Sequence, residues 1–399
     1  MGSTVTRGSA LLAAAVLAGG LAACGSSSSS SSGASSGSSS TSSGSTSSSG
    51  QAAPSADSAR VGLVILSGPV GANEDHMMQG FTIAQADIAR EGGPRLELVR
   101  CEDQVDVDQS TACTRKLTSE DGLKAVILDT ASPAALADSA VTARSGVVAM
   151  MPSQRDTELT EQGNRLLFRT GISGAVEVEK VAPEIIQQLR PQKVGILAEN
   201  NSFGQDELKR FTRAFQDASV DVPYSASFEA DQTDFSAELA KAKSDGVDLL
   251  LMIGEANHGG LISQQAKSLG LSAKLLASSG MTSRDLLDLS RGAMDGQYAW
   301  STLPQAGGGS QEFFREFRAK YGQDPSSISA EAYTALRTLA MAVQRAGGAD
   351  DANKLAGAMR ATSWDSPIGA VKFDDKGQNT NAETELQVVR GNAFEPLSK

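Results

Sequence analysis

The chain states one structural phrase twice. Four short apolar runs, VGLVIL (Val61–Leu66), RLELVR (Arg95–Arg100), KAVILD (Lys124–Asp129) and GVVAMM (Gly146–Met151), are separated by helical patterns at Glu74–Glu91, Asp108–Glu120 and Pro133–Arg144. The pattern restarts at KVGILA (Lys193–Ala198). It continues through a helix at Gln205–Ala218, VPYSASF (Val222–Phe228), a helix at Phe235–Ser244, DLLLMI (Asp248–Ile253), a helix at Gly259–Leu269 and AKLLA (Ala273–Ala277). Val61-Gly62-Leu63 and Val194-Gly195-Ile196 open the two passages, 133 residues apart. Strands that are apolar on both sides need cover on both sides, and strand–helix alternation supplies it as a parallel sheet between helical layers. The expected fold class is α/β, with two Rossmann-like three-layer αβα domains. Binding in such sheets gathers at the carboxyl ends of the strands, where the two domains can face each other.

Three further helical patterns, Gln311–Tyr321, Glu331–Ala346 and Asn353–Ala361, come with no strands of their own. They must cover a sheet already built, so the chain is expected to pass between the domains more than once. After Pro367, AVKFD and ELQVVR read as a short antiparallel pair.

The first 58 residues are of another kind. Arg7 is the only charged side chain before Asp57. It precedes an apolar stretch, Ser9–Ala18, too short to span a bilayer, which takes about 20 residues. Leu21-Ala22-Ala23-Cys24 then resembles a bacterial lipoprotein signal, in which the cysteine becomes the lipidated first residue of the mature chain. The other reading is an ordinary cleaved signal with an incidental cysteine. Met1-Gly2 also fits a myristoylation pattern, discounted because an export signal follows at once. Gly25 to about Ser58 is almost entirely Ser, Gly and Thr and cannot offset its ordering entropy, so a disordered tether is expected, with a reach of roughly 30 Å. A G-x-S-x-G string at Gly33–Gly37 lies inside that run, without the strand–turn–helix setting a hydrolase needs.

The whole chain carries a net charge of −12 and no cluster of Lys and Arg. That argues against nucleic acid, whose phosphates demand clustered cations. His76 and His258 lack metal-ligand spacing, no G-x-G-x-x-G follows a strand, and no P-loop or Cys–His pair is present. No catalytic group set, metal or cofactor is expected. Cys101 ends the second strand run and Cys113 lies in the following helix. In an exported chain these two are expected to form a disulfide worth about 3 kcal/mol; the alternative is a pair of buried thiols.

Several phrases, in order, carry a resemblance: SGPVG (Ser67–Gly71), ELTEQGNRLLFRT (Glu158–Thr170), FGQDE (Phe203–Glu207), TDFSAEL (Thr233–Leu239), QAKSLGL (Gln265–Leu271) and SPIGAVKFDDKGQ (Ser366–Gln378). Over nearly all of residues 60–390 the chain resembles the type I periplasmic binding proteins, in the leucine/isoleucine/valine-binding branch that feeds ABC transporters. The resemblance implies a clamshell with three crossovers. Residues 1–23 would be the signal peptide and 24–58 the lipidated cysteine and tether. Residues 59–173 plus 303–366 would form one lobe, and 174–302 plus 367–399 the other. It implies a monomer outside the cell membrane, anchored through Cys24, that hands a small polar solute to a permease. A sensory or scaffolding lipoprotein of the same fold with a diverged site is the alternative.

The family's binding positions fall on Asn73, Ser132, Ser153, Arg155, Phe203, Glu255 and Ser279. Ser132 stands where the family holds a ligand carboxylate, and it would also serve as a cap for the helix at Pro133. Arg155 replaces a common Thr; it offers a fork for an anion, or is a solvated arginine at the cleft rim. Phe203 is read as a stacking surface or a core aromatic. Glu255 replaces a common Tyr, Ser279 the acid that pairs with a ligand ammonium, and Asn73 a further aromatic. Glu255 either restores the missing negative charge or pairs with Arg155. His258 follows in the same expected loop, as a ligand contact or a plain loop residue.

Overall fold

A computed structural model describes residues 58–67, 71–307 and 309–397. The signal, Cys24, the tether and the G-x-S-x-G string lie outside the described residues. The first passage folds as β1 (Ser58–Ile65), α1 (Gly71–Arg90), β2 (Arg95–Glu102), α2 (Val107–Arg115), β3 (Ala125–Asp129), α3 (Ser132–Ser145), β4 (Val148–Met151), α4 (Glu158–Glu161) and β5 (Leu167–Arg169). Its strands form one parallel sheet in the order β2-β1-β3-β4-β5. The second passage gives α5 (Gly174–Leu189), β6 (Lys193–Glu199), α6 (Ser202–Asp217), β7 (Asp221–Phe228), α7 (Ser236–Ser244), β8 (Leu249–Ile253), α8 (Ala256–Ser268), β9 (Lys274–Ala277), α9 (Arg284–Ser290) and β10 (Tyr298–Ser301). These strands repeat the order, β7-β6-β8-β9-β10, and two later antiparallel strands extend the sheet beyond β10.

The apolar strands are covered on both faces as their composition requires. Val61, Leu63 and Ile65 of β1 face one core, with Phe81, while Val64 faces another, with Cys113 and Leu117. In β8, Leu250 and Met252 share a core with Phe228, and Leu249, Leu251 and Ile253 one with Phe211 and Trp300. The shared Val-Gly phrase has a packing reason. A Cβ on Gly62 would stand 2.8 Å from Val126 Cγ1, and one on Gly195 3.1 Å from Leu250 Cδ1 and from Val247, so the next strand and its flanking chain close on bare backbone in both sheets.

The trailing helices, α10 (Ser310–Tyr321), α11 (Ser327–Ala346) and α12 (Ala352–Arg360), return to the first sheet. Phe313, Phe317, Leu336, Leu339 and Met359 complete the core around Val61 and Leu63. A hairpin follows, β11 (Trp364–Ser366) and β12 (Gly369–Val371), and then β13 (Glu385–Arg390) and β14 (Ala393–Pro396). Here the expectation is corrected. AVKFD and ELQVVR do not pair: β12 pairs with β11, and β13 pairs with β10 and β14. Nor does AVKFD leave the first core at residue 366. Ile368, Val371 and Phe373 are buried in it, with Phe373 edge-on to Phe168 at 5.2 Å. Three apolar side chains find cover there, and the chain joins the second sheet only at β13.

Two of the connections between the sheets are bonded to each other. The Arg169 N–H donates to Gly377 O at 2.8 Å, and the Asn379 N–H donates to Arg169 O at 3.0 Å. Asn379 Nδ2 donates to Thr170 O and Gln378 Nε2 to Gly171 O. The buried Arg169 guanidinium donates to Gln378 Oε1, to the Gln154 and Asp156 carbonyls and to Thr160 Oγ1. Gly377 has φ +82°, and a Cβ there would lie 2.0 Å from Leu167 O, so only glycine admits the contact. The Cys101–Cys113 disulfide is present, tying the end of β2 to α2 with Cα atoms 5.6 Å apart.

Candidate ligand cleft

In both sheets the order changes direction beside the first strand, the place where a crevice opens at the carboxyl edge. Corresponding loops from the two sheets meet there around a cavity of about 120 Å³. The first sheet contributes Leu66 after β1, Asp129 to Ser132 after β3, and Ser153 to Arg155 after β4; the second contributes Asn201 and Phe203 after β6, Glu255 after β8, and Ser279 and Gly280 after β9. Ile328 and Glu331 of α11 complete the wall.

Six of the seven expected binding positions, Ser132, Ser153, Arg155, Phe203, Glu255 and Ser279, thus face one cavity. The seventh, Asn73, lies on α1, and its side chain is outside the described residues. Ser132 is the first residue of α3, not its cap; the cap is Ala131, and the Ser132 hydroxyl bonds to no described residue. Phe203 is half-buried, both lining the cavity and packing on the core beneath it. Glu255 caps the backbone start of α8. His258 sits within α8, buried, with Nε2 on the Ala230 carbonyl at 2.9 Å and its ring against Phe228; it does not line the cavity.

Arg155 is neither a solvated rim residue nor an open fork, and its carboxylate partners are Glu177 and Glu331. It is 8% exposed, between two carboxylates that are wholly buried. Nε lies 3.0 Å from Glu177 Oε2 and Nη2 2.6 Å from Glu331 Oε1, while Nη1 donates to Ser153 O at 2.9 Å. Burial alone would lower the Arg155 pKa, but Glu331 and Glu177 outweigh it and hold it above its ordinary value. The acids are themselves anchored. Trp300 Nε1 donates to Glu177 Oε1 at 2.6 Å, the Ser279 hydroxyl donates to the same oxygen, and Thr302 Oγ1 donates to Glu331 Oε1 at 2.8 Å. Ser279 therefore serves the Arg155 network. Behind it lies Glu207 of α6, 1% exposed, whose carboxylate oxygens accept no hydrogen bond among the described residues. Burial, then the neighbouring Glu177, pushes its pKa well above the carboxylate range.

Glu177, Glu331, Glu207 and Asp129 were not singled out from sequence. Glu177 and Glu331 are 22 and 176 residues from Arg155, on helices that carry no local mark of it. Asp129 did leave a signal: it is the charge that closes the apolar strand β3, at the carboxyl edge of the first sheet.

Residues 58–394 match the model of a family described as periplasmic binding protein. The chain belongs to that family. Among its relatives is the leucine-, isoleucine-, valine-, threonine- and alanine-binding protein of Pseudomonas aeruginosa, 28% identical over 82% of this chain and 88% of the relative. The Leu/Ile/Val-binding protein of Escherichia coli is 25% identical over 81% and 88%. The fold is shared with the leucine-binding protein LivK of Thermotoga maritima (TM-score 0.79, 21% identity, 85% of this chain and 98% of that one). It is also shared with an ABC-transporter solute-binding protein of R. palustris in complex with benzoate (TM-score 0.78, 19% identity, 85% and 95%). The two-lobed periplasmic binding protein fold is thus the architecture of this chain. Among the described residues no helix is long and apolar enough to cross a membrane.

Proposed function

We propose that this periplasmic binding protein is an extracytoplasmic lipoprotein that captures a small polar solute, an amino acid or a related carboxylate or amide, between its lobes and delivers it to an ABC permease. The observation that carries this reading is the convergence of three equivalent loops from each sheet on one cavity. Such a cavity is completed only when the lobes approach, so ligand favours the closed state and closure reports occupancy to a partner. Ser132 and the amino end of α3 are assigned to a ligand carboxylate or carbonyl, and Phe203 to a stacking surface. No catalytic step is assigned. Cys24 and the Ser/Gly run are assigned to anchoring and reach.

Thermal melts of the full chain against amino acids, amides, small carboxylates and sugars test the solute-binding role. A solute at 100 times its Kd adds about 2.7 kcal/mol, an easily seen rise in Tm. A panel without any shift would favour the sensory or scaffolding reading. Anchoring is tested separately: Cys24→Ser should move the protein from the membrane fraction to the soluble one.

A further inference from the structure

His76 lies on α1, whose Met77 and Phe81 pack into the core of the first sheet. The ring is buried. Its Nδ1 stands 2.6 Å from the Ser326 hydroxyl, which caps α11 on the same core and bonds to the Ser329 hydroxyl. Its Nε2 reaches Asp285 Oδ2, 3.0 Å away, on α9, whose Leu286 and Leu287 pack in a core of the second sheet. The imidazole is thus seated in one lobe and bonded to the other. The seat serves both protonation states. An Nδ1–H donates to the Ser326 oxygen, and a bare Nδ1 accepts from the same hydroxyl once it turns. What changes is the contact across the lobes: an ion pair with Asp285 while both nitrogens carry protons, a hydrogen bond alone when one does. The hydrogen bond from His76, against partial burial, holds the Asp285 carboxyl below its ordinary pKa, so it stays ionised. The chain's other histidine makes no such bridge. His258 bonds to Ala230 and faces Glu199, all within the second passage.

We propose that His76 and Asp285 form a proton-operated latch, which favours the arrangement in which the lobes meet when the surroundings are mildly acid, whatever solute the cleft takes. An imidazole exchanges its proton between about pH 5 and 8. The ion pair exists only while the ring is protonated, so the attraction between the lobes is present on the acid side of that range and fades as pH rises. The other charges on the elements around His76 are engaged or exposed. Glu74 on α1 is bonded by Arg100, Asp324 before α11 by Arg318, and Glu331 on α11 by Arg155; Arg284 and Asp288 on α9 hold each other, and Asp75 is exposed. The Asp285 side chain is 38% exposed, so solvent screens the pair. A latch of this kind changes the ratio of closed to open molecules by about two- to fivefold.

The test measures the distance between the lobes without any solute. Spin labels are placed at Gln109→Cys, after β2, and Thr233→Cys, after β7, both exposed positions, in the full chain carrying Cys24→Ser; Cys101 and Cys113 are bonded to each other and take no label. Pulsed electron resonance at pH 5.5, 6.5 and 8 then gives the two populations. The expected result is a ratio of short to long distances about two- to fivefold higher at pH 5.5 than at pH 8, and no such change in His76→Gln or in Asp285→Asn. A distribution that ignores pH overturns the latch. So does a pH dependence that survives in either variant, which would belong instead to the buried acids Asp129 and Glu207, whose pKa values burial holds up. Asp285→Asn, at the more exposed end of the pair, decides the matter if His76→Gln does not fold. Either failure leaves solute capture standing.

Discussion

Replacing Arg155 by Met removes the one cation that is ion-paired with Glu177 and Glu331 among the described residues. Glu177 and Glu331 are wholly buried and Arg155 is 8% exposed, so solvent screening offers little relief. Breaking a buried ion pair from one side costs about 3–5 kcal/mol. For a chain this long, near the lower end of about 2–4 °C per kcal/mol, Tm should fall by about 6–10 °C. The sign with pH is also fixed. The stranded carboxylates would have folded-state pKa values above their unfolded ones. Their cost is then absent below about pH 4, where both states are protonated, and grows as pH rises. Urea melts followed by circular dichroism at pH 4.5, 6 and 8 should show the deficit widening. Arg155→Met combined with Glu177→Gln and Glu331→Gln should recover at least half of it at pH 8, because the amides keep acceptors for Trp300 and Thr302 and carry no charge. An Arg155→Met protein within about 1 kcal/mol of the wild type, or a deficit that ignores pH, would refute the view that these acids depend on Arg155.

Glu207→Gln should stabilise the protein at pH 7–8: the raised pKa of Glu207 means stability is lost as pH rises from the unfolded value through the folded one, and the amide removes that slope; urea melts across pH check it, and an unchanged slope counts against it. Reduction, or Cys101→Ser with Cys113→Ser, should cost about 3 kcal/mol by urea melts with and without dithiothreitol, and alkylation of the unreduced protein should label neither residue. Gln378→Ala should cost about 1.5–3 kcal/mol, since it strips the Arg169 guanidinium of an acceptor in a buried setting; a neutral effect would mean water replaces the amide.

The sheets were legible because their central strands are apolar on both faces and alternate with helical patterns. What escaped was placed by tertiary contact. Helix α5 carries Pro183 in its interior, which argues locally against a helix, yet Val178, Val181 and Ile185 bury against β6 and hold it. Strand β10 is four residues long and shows no alternation. The boundary at residue 367 is what the family resemblance implies, and Phe373 departs from it because its ring fills space beside Phe168 in the first core. At the cleft, the positions implied by the family resemblance gathered six lining residues. Arg155 read as an open fork because its partners sit on distant helices, and partner choice is a property of packing that spacing along the chain does not carry.

The stitched pair of connections around Arg169 and Gln378 has a mechanical meaning. Segments joined backbone to backbone cannot bend independently, so two of the three straps behave as one stiff leaf. That leaf and the remaining connection, described at residues 302–307 and 309, then define a single line about which the halves can turn. Twisting across that line would have to tear the Arg169–Gly377 and Asn379–Arg169 bonds, while opening along it need not. A turn about that line is the motion that leaves these backbone bonds intact.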